Sequence, residues 1–148
     1  MIYESECTKI VLEMKKIIYI FSWIILMFPV LSYAQTDKLP ADITLSFEAG
    51  NAAELAKHFH TNVELIILKE EDVYSRSQAE QIIRKFFSEH KPSAFRVIHE
   101  GGKENSRYAI GSLDTSKASY RVYILMKEQD NRPLIHQLRI EEEEGDDQ

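Results

Sequence analysis

Ser75-Arg76-Ser77-Gln78-Ala79-Glu80-Gln81-Ile82-Ile83-Arg84-Lys85-Phe86-Phe87-Ser88-Glu89-His90-Lys91-Pro92 is the stretch whose period decides the fold. Ala79, Ile82, Ile83, Phe86 and Phe87 recur at i, i+3, i+4, i+7 and i+8, which draws one apolar stripe along a helix. Arg76, Glu80, Arg84, Lys85 and Glu89 lie away from it. Ser75 or Ser77 caps the first turn, and Lys91-Pro92 stops the helix because proline disfavours the helical conformation in its predecessor. Such a stripe must be buried against a second layer, and the residues downstream supply one.

Four strand-like runs follow: Ala94 to Glu100, Arg107 to Leu113, Ser119 to Lys127 and Leu134 to Glu141. Gly101-Gly102 is expected to turn the first hairpin, and Asp114-Thr115-Ser116 lies near the second turn. In the third run Tyr120, Val122, Ile124 and Met126 share a face opposite Arg121, Tyr123 and Leu125. In the fourth, Leu134, His136, Leu138 and Ile140 fall opposite Ile135, Gln137 and Arg139. Short connections predict four antiparallel neighbours.

Upstream, Pro40 opens a helix with Ile43 and Phe47 four apart, interrupted at Gly50-Asn51. Asn51 is expected to cap a second helix whose apolar face is Ala52, Leu55, Ala56 and Phe59, with Glu54 reaching back to complete a capping box. Val63 to Leu68 reads as a short buried strand that the acidic Glu70-Glu71-Asp72 ends. The expected class is α+β: N-terminal helices and one long amphipathic helix packed on a curved antiparallel sheet.

The N-terminal stretch belongs to a different physical problem. Lys15-Lys16 runs into an apolar segment from Ile17 to Leu31 and then into Ser32-Tyr33-Ala34, the layout of a secretory signal peptide cleaved between Ala34 and Gln35. Met14 is the expected start, since Met1 to Glu13 lacks a basic character. The segment is shorter than the roughly twenty residues a membrane-spanning helix needs, so cleavage is expected over retention as an uncleaved anchor. Residues 1–34 are therefore read as leader and signal peptide, 35–141 as one domain and 142–148 as a disordered acidic tail. The expected location is periplasmic or extracellular, with membrane contact only through the signal segment before cleavage.

Composition narrows the chemistry. The lone cysteine, Cys7, precedes Met14, so the exported chain has no disulfide, no thiolate metal site and no thiol nucleophile. Gln35 stands where a lipoprotein needs cysteine, which excludes lipid anchoring. Net charge is −6, with an acid-rich run from Glu141 to Asp147 and no basic stripe, so a nucleic-acid partner is not expected. No phosphate loop, zinc-protease, nucleophile-elbow or dinucleotide motif is present, and no cofactor or metal is expected.

Gly50-Asn51-Ala52-Ala53-Glu54-Leu55-Ala56-Lys57-His58-Phe59, followed by Val63-Glu64-Leu65, resembles the opening of nuclear transport factor 2-like domains. More narrowly, Tyr108-Ala109-Ile110-Gly111 and Gln137-Leu138-Arg139-Ile140-Glu141 look like a secreted family of unknown function from Bacteroidetes-type bacteria. The resemblance implies a cone-shaped fold whose helices and concave sheet enclose a pocket. Some relatives are isomerases that use an acid directly after the Val-Glu pair as general base. Here that position is Leu65, which cannot accept a proton.

Several residues are candidates within this frame. His136 is expected to point into the cone and His99 to share the face of Phe95 and Val97, each able to bind a polar group or move a proton. Tyr108 and Tyr120 are expected to line the same ligand pocket. His58 and His60, read as helical neighbours at i, i+2, face apart and make no metal site; His60 is placed at the surface. Tyr123, Leu125 and Ile135 form an apolar patch on the opposite sheet face and suggest a dimer contact.

The leading expectation is an exported, non-catalytic domain of the cell envelope that binds a small apolar molecule or a partner protein. The alternatives are an isomerase or dehydratase using a cone histidine with a tyrosine donor, and a homodimeric structural accessory protein. A cavity filled by Phe47, Phe59, Phe86 and Phe87 would remove the enzyme alternative.

Overall fold

The computed structural model describes residues 11–16 and 38–143. Residues 11–16 form a helical segment, α1, in a unit separate from Thr36–Gln148. The expected cleavage point at Ala34 and Gln35 lies outside the described residues, as does the apolar segment before it. No helix among the described residues is long and apolar enough to cross a membrane.

From residue 38 the order is α2 (Ala41–Glu48), α3 (Ala52–Ala56), β1 (Phe59–Ile67), β2 (Glu70–Ser75), α4 (Arg76–Glu89), β3 (Pro92–Lys103), β4 (Ser106–Thr115), β5 (Ser119–Gln129) and β6 (Arg132–Glu142). The strands form one curved, open six-stranded sheet in the order β2-β1-β6-β5-β4-β3. The expected α+β cone stands, and so does the meander from β3 to β6.

Local chemistry sets the helices. Ser75 Oγ accepts from Gln78 N and the Gln78 side chain accepts from Ser75 N, so both free donors at the start of α4 are satisfied. Ala79, Ile83, Phe86 and Phe87 are buried and Ile82 packs against the core at its edge. Burying each large side chain of that stripe contributes about 1.5–3 kcal/mol, which anchors α4 to the sheet. Asn51 caps α3 by accepting from Glu54 N at 3.1 Å. The reciprocal half of that expected box is replaced by an ion pair, because the Glu54 carboxylate takes Lys57 Nζ at 2.7 Å.

The sheet departs from expectation in four places. First, Glu70-Glu71-Asp72 does not end the strand region; it begins β2, which pairs antiparallel with β1 from Ile67↔Glu70 to Asn62↔Ser75. Acids are tolerated there because β2 is an edge strand whose side chains remain in water. Second, β1 pairs with β6 in parallel, so the otherwise antiparallel sheet is mixed. Third, Gly101-Gly102 does not make the hairpin turn. It stays in β3 opposite Tyr108 and Arg107, and the chain turns after Lys103↔Ser106, with Glu104 at φ 58°. Fourth, Glu142, expected in the acidic tail, closes β6, and Glu143 N still donates to Ser119 O.

Behind the sheet the interior is filled by aromatic rings. Phe47 and Phe59 are fully buried, and Phe86, Phe87 and Phe95 nearly so. Phe47 stacks on Phe95 with centroids 4.7 Å apart and meets Phe87 edge-on at 6.0 Å. Phe86 meets Tyr120 edge-on at 5.3 Å. Those four phenylalanines, 47, 59, 86 and 87, are the ones whose burial was set against a hollow cone.

Candidate functional site

Two single-residue bulges decide where the candidate side chains point. In β3, Val97 stands opposite Gly111 and the next paired residue, His99, opposite Ile110, so Ile98 is extra. In β6, Leu125 of β5 faces Gln137 while Met126 faces Ile135, so His136 is extra. Strand side chains alternate with period two, and one inserted residue moves everything beyond it to the other face.

The expected positions of His99 and His136 in the cone are therefore corrected. His99 lies on the outer face, where its Nε2 sits 3.0 Å from the Tyr108 hydroxyl. Tyr108 is on that face too, stacked 6.4 Å from Tyr123. Its ring covers Gly101, which leaves no room for a larger residue without a shift. Tyr120 is the single candidate of that set on the inner face, 4 % exposed and packed by Phe86 and His90. Burial, with the Glu142 carboxylate, raises its hydroxyl pKa. The four do not share a pocket.

The expected dimer patch is corrected in one member. Ile135 is fully buried, because the bulge turns Ile135, Leu138 and Ile140 inward together. Tyr123 and Leu125 are on the outer face as expected, directly opposite Ile110 and Tyr108 of β4. Tyr108, Ile110, Tyr123 and Leu125 are all half-buried there.

Polar groups frame that apolar strip. Gln137 Nε2 donates to Glu64 Oε2 at 2.6 Å across the β1–β6 pair. Arg139 pairs with Glu141 at 3.1 Å and Arg121 with Glu143 at 3.2 Å, while Ser112 Oγ donates to Glu143 at 3.2 Å. Ile110, Arg121, Tyr123, Gln137, Arg139 and Glu141 line a cleft of about 410 Å³ in the middle of this face. Neither the cleft nor the mixed charges around it were legible from sequence, because they join residues of three strands.

Two other histidines are brought somewhere unexpected. His60 lies in β1 rather than on a helix, half-buried with its ring stacked on His136 at 4.2 Å and 19°. The His136 pKa is lowered by burial, then by His60 and Lys127. His58 lines a second cleft of about 440 Å³ with Asp42, Ser46, Asn51, Glu54 and Lys57. Its pKa is also lowered, chiefly by burial, although Asp42 and Glu54 oppose the shift. Among the described residues no group of three or more histidine, cysteine or acidic side chains is arranged to hold a metal ion.

Leu65, at the place of the isomerase acid, points inward and is fully buried. Its neighbour Glu64 faces outward, engaged by Gln137. A carboxylate at residue 64 cannot take over the interior position, since alternation puts it on the wrong side of β1.

Comparison with known proteins agrees with this geometry. No curated protein matches the chain. Solved structures do. A DUF4783 family protein from Bacteroides ovatus is 30% identical, with TM-score 0.70 over 73% of this chain and 98% of its own. One from Bacteroides uniformis is 33% identical, with TM-score 0.69 over 72% and 99%. A domain of unknown function with a cystatin-like fold from Nostoc punctiforme is 11% identical with TM-score 0.57, covering 70% of this chain and 72% of its own; it shares the fold alone. The family profile described as a domain of unknown function matches residues 40–141, from the turn before α2 to the end of β6. With two thirds of its length inside that match and the cone topology in place, the chain belongs to the DUF4783 family.

Proposed function

We propose that this protein is exported to the periplasm or the cell exterior and works there as a non-catalytic protein-binding domain, pairing through its outer sheet face with a second copy of itself. The strip of Tyr108, Ile110, Tyr123 and Leu125 carries the reading. These four side chains are held half-buried on the outer face while the opposite face of the same strands is packed into the core. An apolar strip of this kind gains most from being covered.

The charge pattern favours a second copy as the occupant. The same face carries Arg121 and Arg139 together with Glu64, Glu141 and Glu143, both signs interspersed. A two-fold axis brings a surface against itself, so a face bearing one sign would repel its copy; this one can set guanidinium groups against carboxylates. Both sheet edges resist strand addition, β2 through its acids and β3 through its bulge. That leaves the face.

Two features support binding over catalysis. Among the described residues the interior is packed with phenylalanine rings, and the isomerase acid position is a buried leucine. The signal-like segment from Lys15 to Ala34 supports export.

Light scattering after gel filtration, at tens of micromolar, tests the assembly. The protein is expected at the mass of two chains, and Leu125→Glu at the mass of one with an unchanged circular dichroism spectrum. A single-chain mass for both proteins defeats the proposal. N-terminal sequencing of protein recovered from outside the cytoplasm is expected to begin at Gln35.

A further inference from the structure

The seam between β1 and β6 is irregular at the point where two histidines meet. The parallel ladder is interrupted between Phe59 and Glu64, and β6 places its extra residue at His136. What bridges the gap is ring contact: His60 and His136 stack face to face at 4.2 Å. Directly behind them Phe59 and Ile135 are fully buried, and Ile135 N donates to His58 O at 2.7 Å to close the backbone.

His60 is equipped for both protonation states. Its Nδ1 lies 3.3 Å from Asn62 N, a donor to the neutral ring, and 3.0 Å from Asn62 O, an acceptor for an added proton. The charged groups acting on His136 offer no such relief. From β1 it faces His60 and from β5 Lys127, both cationic once His60 is protonated. Glu64, the nearest acid along β1, is held by Gln137. Asp42 and Glu54 act on His58.

We propose that the His60–His136 stack is an acid-sensitive latch on the β1–β6 seam, closed while both rings are neutral and opened when both carry a proton. A proton on His60 has Asn62 O as its acceptor. A second arrives on a ring stacked against one cation and beside another, so the stack separates. Its separation strains the Ile135–His58 hydrogen bond and admits water to Phe59 and Ile135. An exported protein meets the pH of its surroundings, the range in which histidine changes charge. The latch does not depend on self-association, because both rings belong to one chain.

Ring-proton NMR titration and amide exchange of the intact protein between pH 7.5 and 5.0 test this, with exchange corrected for its intrinsic pH dependence. His136 is expected to titrate below the ordinary histidine value. Protection of the Ile135 amide is expected to fall about tenfold for each unit by which the second proton is disfavoured, while Val122 in the centre of the sheet changes little. His136→Phe keeps a stacked ring that takes no proton and is expected to hold Ile135 protected at pH 5.0; His60→Phe reads the same effect from the other strand. Protection of Ile135 that is independent of pH, or that falls equally in the wild-type protein and both variants, overturns the latch.

Discussion

Replacing Gly111 by alanine tests whether the interior is packed as tightly as the geometry requires. Gly111 sits on the inner face of β4, and an ideal Cβ there would stand 2.6 Å from Phe95 Cζ, 2.7 Å from Cε2 and 2.9 Å from the Arg96 carbonyl oxygen. Relaxed carbon contacts lie near ~3.5–4.0 Å, so the Phe95 ring must retreat by about 1 Å. It has nowhere free to go, because its other side is stacked on Phe47. The carbonyl is backbone and cannot swing away. Overpacking of this kind costs about 1–3 kcal/mol, and disturbing the aromatic pair roughly 0.5–1.5 kcal/mol more. Losing glycine's unfolded-state freedom returns about 0.5–1 kcal/mol. The net is a destabilisation of about 2 kcal/mol, equivalent to a fall in Tm of roughly 8–16 °C for a domain of this size. Gly101→Ala is the comparison: the nearest atoms to its Cβ would be those of the Tyr108 ring on the outer face, with the hydroxyl oxygen at 3.0 Å. That side chain can turn toward solvent, so the loss there is expected below about 1 kcal/mol. Urea denaturation of the two variants beside the wild type reads both values, provided the slopes agree. Equal midpoints for Gly111→Ala and Gly101→Ala, or a Gly111→Ala midpoint at or above wild type, refute the reasoning.

Ile135→Ala, expected from the bulge to empty a fully buried site, should cost about 2–5 kcal/mol by urea denaturation at a concentration where only one chain is present, while Tyr123→Ala costs under about 1 kcal/mol there. The reverse ranking would mean that β6 lacks its extra residue at His136. Folded-state pKa values of His58 and His136 are both lowered from 6.5, so the unfolded chain binds more protons than the folded one as pH falls through that value. Stability from these two groups is complete above pH 6.5 and is lost as the pH drops toward their folded-state values. Urea midpoints at pH 7.5 and 5.5 are expected to decrease in that order, and by less in His136→Phe; a rising midpoint contradicts the sign.

Much of the helical layer was readable in the order of residues. The stripe of Ala79, Ile83, Phe86 and Phe87, the Ser75 cap and the Pro92 stop depend on neighbours within a few positions, and each stands as expected. The alternation of β5 was legible for the same reason. The sites were not. Counting twos along a strand puts His99, His136 and Ile135 on the wrong faces, because both counts pass through an inserted residue.

Local sequence by itself determined where the helices begin and that four strands follow in a meander, since hydrophobic period and capping chemistry act at short range. It determined the family as well, through residues spread from Gly50 to Glu141. Only the tertiary structure decided which side of the sheet each β6 residue faces. The regular pattern of Leu134, His136, Leu138 and Ile140 would have buried an imidazole beside Phe59; the bulge seats Ile135 there instead and leaves the histidine to stack on His60. Burying an unpaired polar ring costs more than one displaced residue in a ladder. That balance is struck between strands that lie far apart in the chain, which is why neither strand alone records it.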